Sequence, residues 1–293
     1  MRYRVVDEVR RLVPVVRSCT LMRLSPSGYY AWRGRALSIR EQENRGLLIQ
    51  IRTIHRASRG TYGAPRVHAE LRAQGVVVGR RRVARLMQQD GIRALRRRKR
   101  RVRAPSASLE AIQANVLNRQ FMPDRPGAVW TADITYLPTA EGWLYLAVVL
   151  DLYSRRVVGW SVRPSLAKEL ATSALKNAIG HQRPRPGLIH HSDRGSQYTS
   201  YEYQQMLRRE GITISMSRSG SCHDNAPTES FFGTLKTEMH LRGDPFNSHA
   251  EARRGLFEYI EVFYNRQRRH STLGYKTPME FEQQYINRPT TVA

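Results

Sequence analysis

Cysteine, lysine and long apolar runs are what this 293-residue chain has least of. Its two cysteines, Cys19 and Cys222, lie far apart with no CxxC spacing, which excludes a disulfide framework and a cysteine-based zinc site and suits a reducing compartment. No stretch of 18 apolar residues occurs, and the opening MRYRVVDEVRRLVPVVRSC is too broken by arginine for a secretory signal, so a cytoplasmic location is expected. Only five of the 49 basic residues are lysine. Arginine suits bidentate phosphate contacts, but a GC-rich genome gives the same bias, and composition does not separate the two. Acidic residues number 24, leaving a formal charge of +25 and a pI near 11.1. That exceeds what solubility requires and points to a polyanionic partner, either nucleic acid or an anionic membrane.

At 40% hydrophobic content the chain supports one large domain with one or two small ones. Charge divides it unevenly: residues 1–124 carry net +20 and residues 125–293 net +5. The expected organisation is a helical, strongly basic binding region over 1–103, a linker over 104–126, an α/β core over 127–285 that carries the chemistry argued below, and a tail over 286–293. In the first region SGYYAW (27–32) marks a short helix, and Ser38 is a plausible N-cap for a longer one reaching Arg56. A helix-turn-helix pattern follows. Pro65 fits a first helical position, Val67 and Leu71 fall at i and i+4, Gly75 ends the turn, and a second helix runs from about Arg80 to Gln89. That helix turns Val83, Leu86 and Met87 inward and Arg81, Arg82 and Arg85 outward, toward a major groove or toward solvent. The run Arg93–Arg103 holds eight basic residues in eleven, with Arg96, Arg97, Arg98, Lys99, Arg100 and Arg101 as expected DNA contacts.

The second part predicts strands at Trp130–Leu137, Trp143–Leu150 and Arg155–Val162, then a helix over Leu166–Ile179, a strand over Gly187–His191, a helix over Ser200–Glu210 and a strand at Ile212–Met216. The order βββαβαβα is a mixed sheet with helices on its faces, an antiparallel meander whose first strand can lie centrally beside the short parallel strand. Trp130 and Trp143 read as core, Cys222 as a small buried residue, and Asp151 as a structural acid at a strand end. His190, His191 and His223 read as structural or pocket-lining, with His191, two residues before Asp193, the one placed nearest to a reacting group. Tyr264, Asn265, Arg269 and His270 suggest an amphipathic helix whose basic edge either faces DNA or simply packs.

Three carboxylates carry the chemistry: Asp133 in the first strand, Asp193 after the short strand, and Glu229 on the helix that follows NAP. Asp224 or Asn225 can serve as its N-cap, with Pro227 in the first turn. Phe231, Leu235 and Met239 form its apolar stripe, whereas Glu229, Gly233, Lys236 and His240 share another face. Singly, each acid also reads as a turn, strand-end or helix-dipole residue. Together, converging carboxylates repel unless cations neutralise them, and oxygen-only ligands suit Mg²⁺ or Mn²⁺. Two such ions, roughly 3.5 to 4 Å apart, support in-line phosphoryl transfer. Lys236, about 10 Å along the helix from Glu229, would hold a neighbouring phosphate.

The segments WTADITY, HHSDRGSQYTS and SRSGSCHDNAPTESFFGTLKTE, with 35 residues between Asp193 and Glu229, resemble the signature of integrase-like DDE transposases. The likeness is to the second-reading-frame product of bacterial insertion-sequence family three. It extends through SGYYAW, TYGAPRVHAELR and YIEVFYNRQRRHSTLGYKTPMEF and so covers nearly the whole chain. The resemblance implies a ribonuclease H-like core of the retroviral-integrase type, with Asp133, Asp193 and Glu229 as catalytic metal ligands for two Mg²⁺ or Mn²⁺ ions. It further implies a DNA-contacting Lys236 and metal-dependent strand cleavage and transfer at element ends. DNA, further copies of the chain and a first-frame product, fused by frameshifting, are the implied partners, and the nucleoid the place of action. The competing expectation is a DNA-binding regulator of the fused transposase without catalysis of its own. A ribonuclease H or junction nuclease would share the metal site but would not use the helix-turn-helix or the arginine run.

Overall fold

The structure, a computed structural model, describes residues 2–95, 114–218, 222–241 and 245–288. The expected DNA contacts Arg96 to Arg101, most of the expected linker and the last residues of the tail fall outside these, as do the side chains of Cys222 and His223. Contacts divide the chain between Thr53 and Ile54 into two compact units.

The first unit holds α1 (Arg2–Val9), α2 (Val15–Leu21), α3 (Pro26–Gly34) and most of α4 (Ile39–Ala57). Its small core is Val6, Cys19 and Tyr29, flanked by Tyr3, Met22 and Trp32. The Tyr29 hydroxyl donates to Asp7 at 2.7 Å, tying α3 to α1. Ser25 caps α3 by accepting from Gly28 N–H. Ser38 and Glu41 bond reciprocally before α4, closing two otherwise orphaned N–H groups.

In the second unit α5 (Ala64–Ala73) and α6 (Arg80–Gln89) form the helix-turn-helix, with Val67, Leu71, Val83, Leu86 and Met87 buried as the spacing predicts. Arg81 and Arg85 are exposed and Arg82 is half-buried. The sheet follows: β1 (Val129–Thr139), β2 (Gly142–Asp151) and β3 (Val157–Arg163) form an antiparallel meander. Then come α7 (Lys168–Gln182), β4 (Ile189–Ser192), α8 (Ser196–Thr199), α9 (Tyr201–Arg209) and β5 (Thr213–Met216). The order is β3-β2-β1-β4-β5, with β4 parallel to both neighbours. Parallel pairing needs crossovers, which α7 and the α8–α9 pair supply.

Both faces of the sheet are covered, so β1 and β2 carry apolar residues on either side. Trp130, Ala132, Ala147 and Val149 pack with α7 and α9. Val129, Leu137, Val148 and Leu150 pack on the opposite face with α10 (Ala226–Glu238), α11 (His249–Phe257) and the π-helical stretch Glu258–Tyr264. The last helix, α12 (Pro278–Ile286), begins with a capping box between Thr277 and Glu280. Both edge strands are engaged at one end. Asn265 uses its side-chain amide to pair with Val157 N–H and C=O on β3. Residues 114–117 bond to Met216 N–H and the Ser215 hydroxyl on β5.

Three expectations need correction. Trp143 is 53% exposed, because the end of the β1–β2 hairpin runs past the helices that cover the sheet, and it meets Tyr136 edge to face. Tyr264, Asn265 and His270 do not form an open basic edge: the first two are buried, and His270 is tucked against the Tyr264 ring and Arg268. Arg269 also turns inward, pairing with Glu70 of α5 and donating to Tyr275 C=O. Its segment forms a π-helix and turns rather than the expected amphipathic α-helix.

Candidate active site

Strand register brings the first two acids together. β1 and β4 pair Thr131 with His191, and carrying that parallel register two residues onward sets Asp193 level with Asp133. Residues two apart share a face, so Asp133 follows Thr131 onto the α10 side of the sheet. Asp133 anchors one oxygen on Ile134 N–H at 2.8 Å, and Asp193 anchors one on Gly195 N–H at 2.9 Å. A Cβ at position 195 would stand 3.1 Å from the Asp193 carboxylate, so glycine permits that close approach.

The start of α10 is pinned to β1 by side chains. Asn225 donates to Ala132 C=O at 3.0 Å, and the hydroxyls of Thr228 and Thr131 lie 2.7 Å apart, both buried. Asn225 occupies the N-cap position, one of the two expected, but its side chain caps no helix N–H: the amide serves the sheet and its oxygen lies 3.0 Å from the Thr228 hydroxyl. Asp224, also buried, pairs with Arg119 at 2.7 Å and accepts from Arg218 N–H and Asn115. Phe231, Phe232 and Leu235 bury the inner face of α10, leaving Glu229 exposed in its first turn and Lys236 half-buried further on. His240 does not share their face. The helix has ended at Glu238, and His240 adopts a left-handed φ of 57°.

The electrostatics tie the four groups together. Burial first, then the charges of Asp193 and Glu229, push the Asp133 carboxyl up to about 7, against the Ile134 hydrogen bond and the opposing charge of Lys236. Burial also raises Asp193. The Lys236 ammonium stands 4.7 Å from the centre of the Tyr136 ring, a cation–π contact that holds the amine on the sheet side of α10. Among the described residues no three His, Cys, Asp or Glu side chains are placed together as a finished metal site.

The other candidates are structural. Asp151, buried at the end of β2, accepts from Gly127 N–H and from the N–H and hydroxyl of Ser154. His191 is buried between Ser215 and Ser217, and burial lowers it to about 4, so it stays neutral. His190, lowered to about 3 by burial, bonds the Tyr203 hydroxyl at 3.0 Å. Sequence reasoning missed the Asn225 and Thr228 pins and the Lys236–Tyr136 contact; the NAP turn before Glu229 was their only local signal.

A mixed sheet with acids at its centre and a helix-turn-helix before it defines an integrase-type protein of ribonuclease H-like fold. Residues 123–222 and 210–278 match Integrase core domain families, and residues 41–100 match an HTH-like domain. The chain is 45% identical over 269 residues to the Insertion element IS600 uncharacterized 31 kDa protein of Shigella sonnei, covering 91% of this chain and 98% of that one. It is 39% identical over 284 residues to Transposase InsF for insertion sequence IS3A of Escherichia coli K12, covering 96% and 98%. The chain therefore belongs to the IS3-family insertion-sequence transposases. Among solved structures it is similar to a chain of the simian T-cell lymphotropic virus intasome in complex with PP2A regulatory subunit B56 gamma (17% identity, TM-score 0.47, covering 77% of this chain and 72% of that one). It is also similar to the HTLV-2 integrase catalytic core domain in complex with magnesium (19% identity, TM-score 0.40, 54% and 98%). Among the described residues no helix is long and apolar enough to cross a membrane.

Proposed function

We propose that the chain cleaves one DNA strand at each end of its element and joins the freed end to new DNA, with Asp133, Asp193 and Glu229 as catalytic metal ligands. What carries this reading is the meeting of Asp133 and Asp193 through strand register, with Glu229 and Lys236 acting on the same carboxyl from α10.

The donor set fits a divalent cation. All its atoms are oxygens, and the mutual repulsion that lifts Asp133 is what a cation relieves. Mg²⁺ or Mn²⁺ ions bound there would polarise the attacked phosphodiester and stabilise the attacking and leaving oxygens. Asp133, fixed by Ile134 N–H on a central strand, and Asp193, fixed by Gly195 N–H, supply rigid ligands. Glu229 supplies the third from a helix start that is itself pinned to β1. Lys236 holds the adjacent phosphate and orients it toward the acids.

In the first step the oxygen of a water bonds to phosphorus and the bond to the 3′-oxygen breaks, leaving a free 3′-hydroxyl. In the second, that hydroxyl bonds to a target phosphorus and another P–O bond breaks. The first step leaves a 5′-phosphate, the water's proton going to the released 3′-oxygen. In the second the hydroxyl proton goes to the released target oxygen and one phosphodiester replaces another, so no external energy source and no covalent protein intermediate are needed. Exposed arginines of α6 and the 96–101 run supply sequence-independent phosphate contacts. Further copies of the chain and a first-frame product complete the assembly on DNA.

The test is incubation of labelled element-end DNA with the purified chain, in Mg²⁺ or EDTA, beside Glu229→Gln. Metal-dependent nicking and joining by the wild type, lost at least 100-fold in the isosteric variant with DNA binding intact, is the expected result. Wild-type cleavage by Glu229→Gln would refute the site. Binding with cleavage only after the first-frame product is added would make this chain the catalytic half of a two-part enzyme.

A further inference from the structure

On the flank of α10 turned away from Glu229, a cavity of about 380 Å³ opens between the helix start, the β2–β3 turn and α5. Ala226, Pro227, Ser230 and Thr234 of α10 form one wall, Arg66, Arg155 and Arg268 bring guanidiniums to the others, and apolar and aromatic side chains such as Phe121 and Tyr264 line part of the space between. Arg268 is neutralised by a buried bidentate pair with Glu238 at 2.8 Å. The other two are not: among the described residues neither Arg66 nor Arg155 has a carboxylate within ion-pair distance. Arg155 donates to Phe121 C=O at 3.1 Å, and Arg66 lies 5.7 Å from the Tyr62 ring.

Half-buried cations with no carboxylate in contact carry a desolvation cost that a bound anion would offset. Burial lowers both guanidiniums from their ordinary value, and the charge of Arg268 lowers Arg66 further; the charges of Glu238 on Arg66 and of Asp151 on Arg155 offset only part of this. Arg155 also holds a left-handed φ of 61°, a conformation that favours glycine, at the tight turn that aims it into the cavity. The N-terminal turn of the 13-residue α10 adds its positive end to the same space. Guanidinium forks from two sides and the Ser230 hydroxyl on a third match the oxygens of a tetrahedral phosphate, while the Thr234 hydroxyl is spent on Ser230 C=O at 2.9 Å.

We propose that this cavity is a phosphate anchor that grips a non-scissile backbone phosphodiester of the DNA strand lying across α10, with Arg66 and Arg155 as its ligands. The inference rests on the transposase reading for the identity of the strand. It goes beyond it in assigning a second, non-catalytic phosphate site, jointly built by α5 and the catalytic core.

The test reads binding in EDTA, so it stands apart from cleavage. The full chain, Arg66→Gln, Arg155→Gln and Arg155→Lys are titrated with labelled element-end duplexes in which single phosphates are replaced one by one by uncharged methylphosphonate. The expected result is an affinity loss of about tenfold for each glutamine variant, partly recovered by Arg155→Lys. One or two positions should also show methylphosphonate costing the wild type affinity but costing the glutamine variants none. Additive losses at every position would overturn the assignment, as would unchanged affinity in variants whose melting temperatures match the wild type. If millimolar inorganic phosphate stabilises the wild type and not Arg155→Gln, yet no methylphosphonate position couples, the cavity binds free phosphate and the DNA assignment falls. Loss of cleavage with coupling preserved would instead count against the catalytic reading alone.

Discussion

Asp133 is held in a protonation state the unfolded chain does not share. Its folded value of about 7 stands above an unfolded value of about 3.9, so between those limits the folded chain binds more protons. Stability therefore falls as pH rises through that window. Asp133→Asn removes the burden, and thermal melts in EDTA should show the variant several degrees more stable than the wild type at pH 8, with the difference shrinking toward pH 4. Mg²⁺ should raise the wild-type melting temperature at pH 8 and leave that of the variant unchanged. A variant destabilised equally at both pH values would mean that the carboxyl serves structure through Ile134. The charges of Asp193 and Glu229 act on the same carboxyl, so the cluster as a whole costs stability when no cation offsets it.

At the scale of elements, what fixes the site is how tightly β3, α7 and α10 are seated on the sheet. Gly159 of β3 faces α7 so closely that an added Cβ would stand 2.3 Å from Ala174 C=O and 2.6 Å from Ala178 N. Gly159→Ala should destabilise the chain by about 1–3 kcal/mol, read as a lower urea midpoint with an unchanged slope. An unchanged midpoint would show that α7 can slide. The strands and helices around this contact were legible in the sequence: long apolar runs bounded by glycine mark β1 and β2, and the spacing of Val83, Leu86 and Met87 marks α6. The π-helical stretch was not, because its pattern also fits an α-helix and only the fit of Tyr259, Phe263 and Tyr264 against α10 distinguishes them. The three acids were readable as a candidate site through their spacing. Their pins were hidden, since Asn225 and Thr228 look like ordinary caps until β1 lies beside them. Arg66 and Arg155 come from remote segments that only the fold brings to one cavity.

At the scale of the whole second unit, the helix-turn-helix is joined to the core by polar contacts. The Tyr62 hydroxyl donates to Gln267 C=O at 3.2 Å and accepts from Arg269 N–H at 2.7 Å, while Arg269 pairs with Glu70. Arg269→Gln and Glu70→Gln should each destabilise the chain, and their double-mutant cycle should give a coupling of about 0.5–3 kcal/mol. Additivity in that cycle would show α5 to be held by Tyr62 and apolar packing instead.

The two edge strands bear on how such a chain can associate. Asn265 already engages the backbone of Val157 on one outer strand, and residues 114–117 occupy Met216 and Ser215 on the other. An incoming strand would meet an interrupted ladder on either side, which guards against endless lateral growth. At those ends of the outer strands, pairing with a further strand is hindered, which leaves helix surfaces and side chains as the places where another copy could make contact.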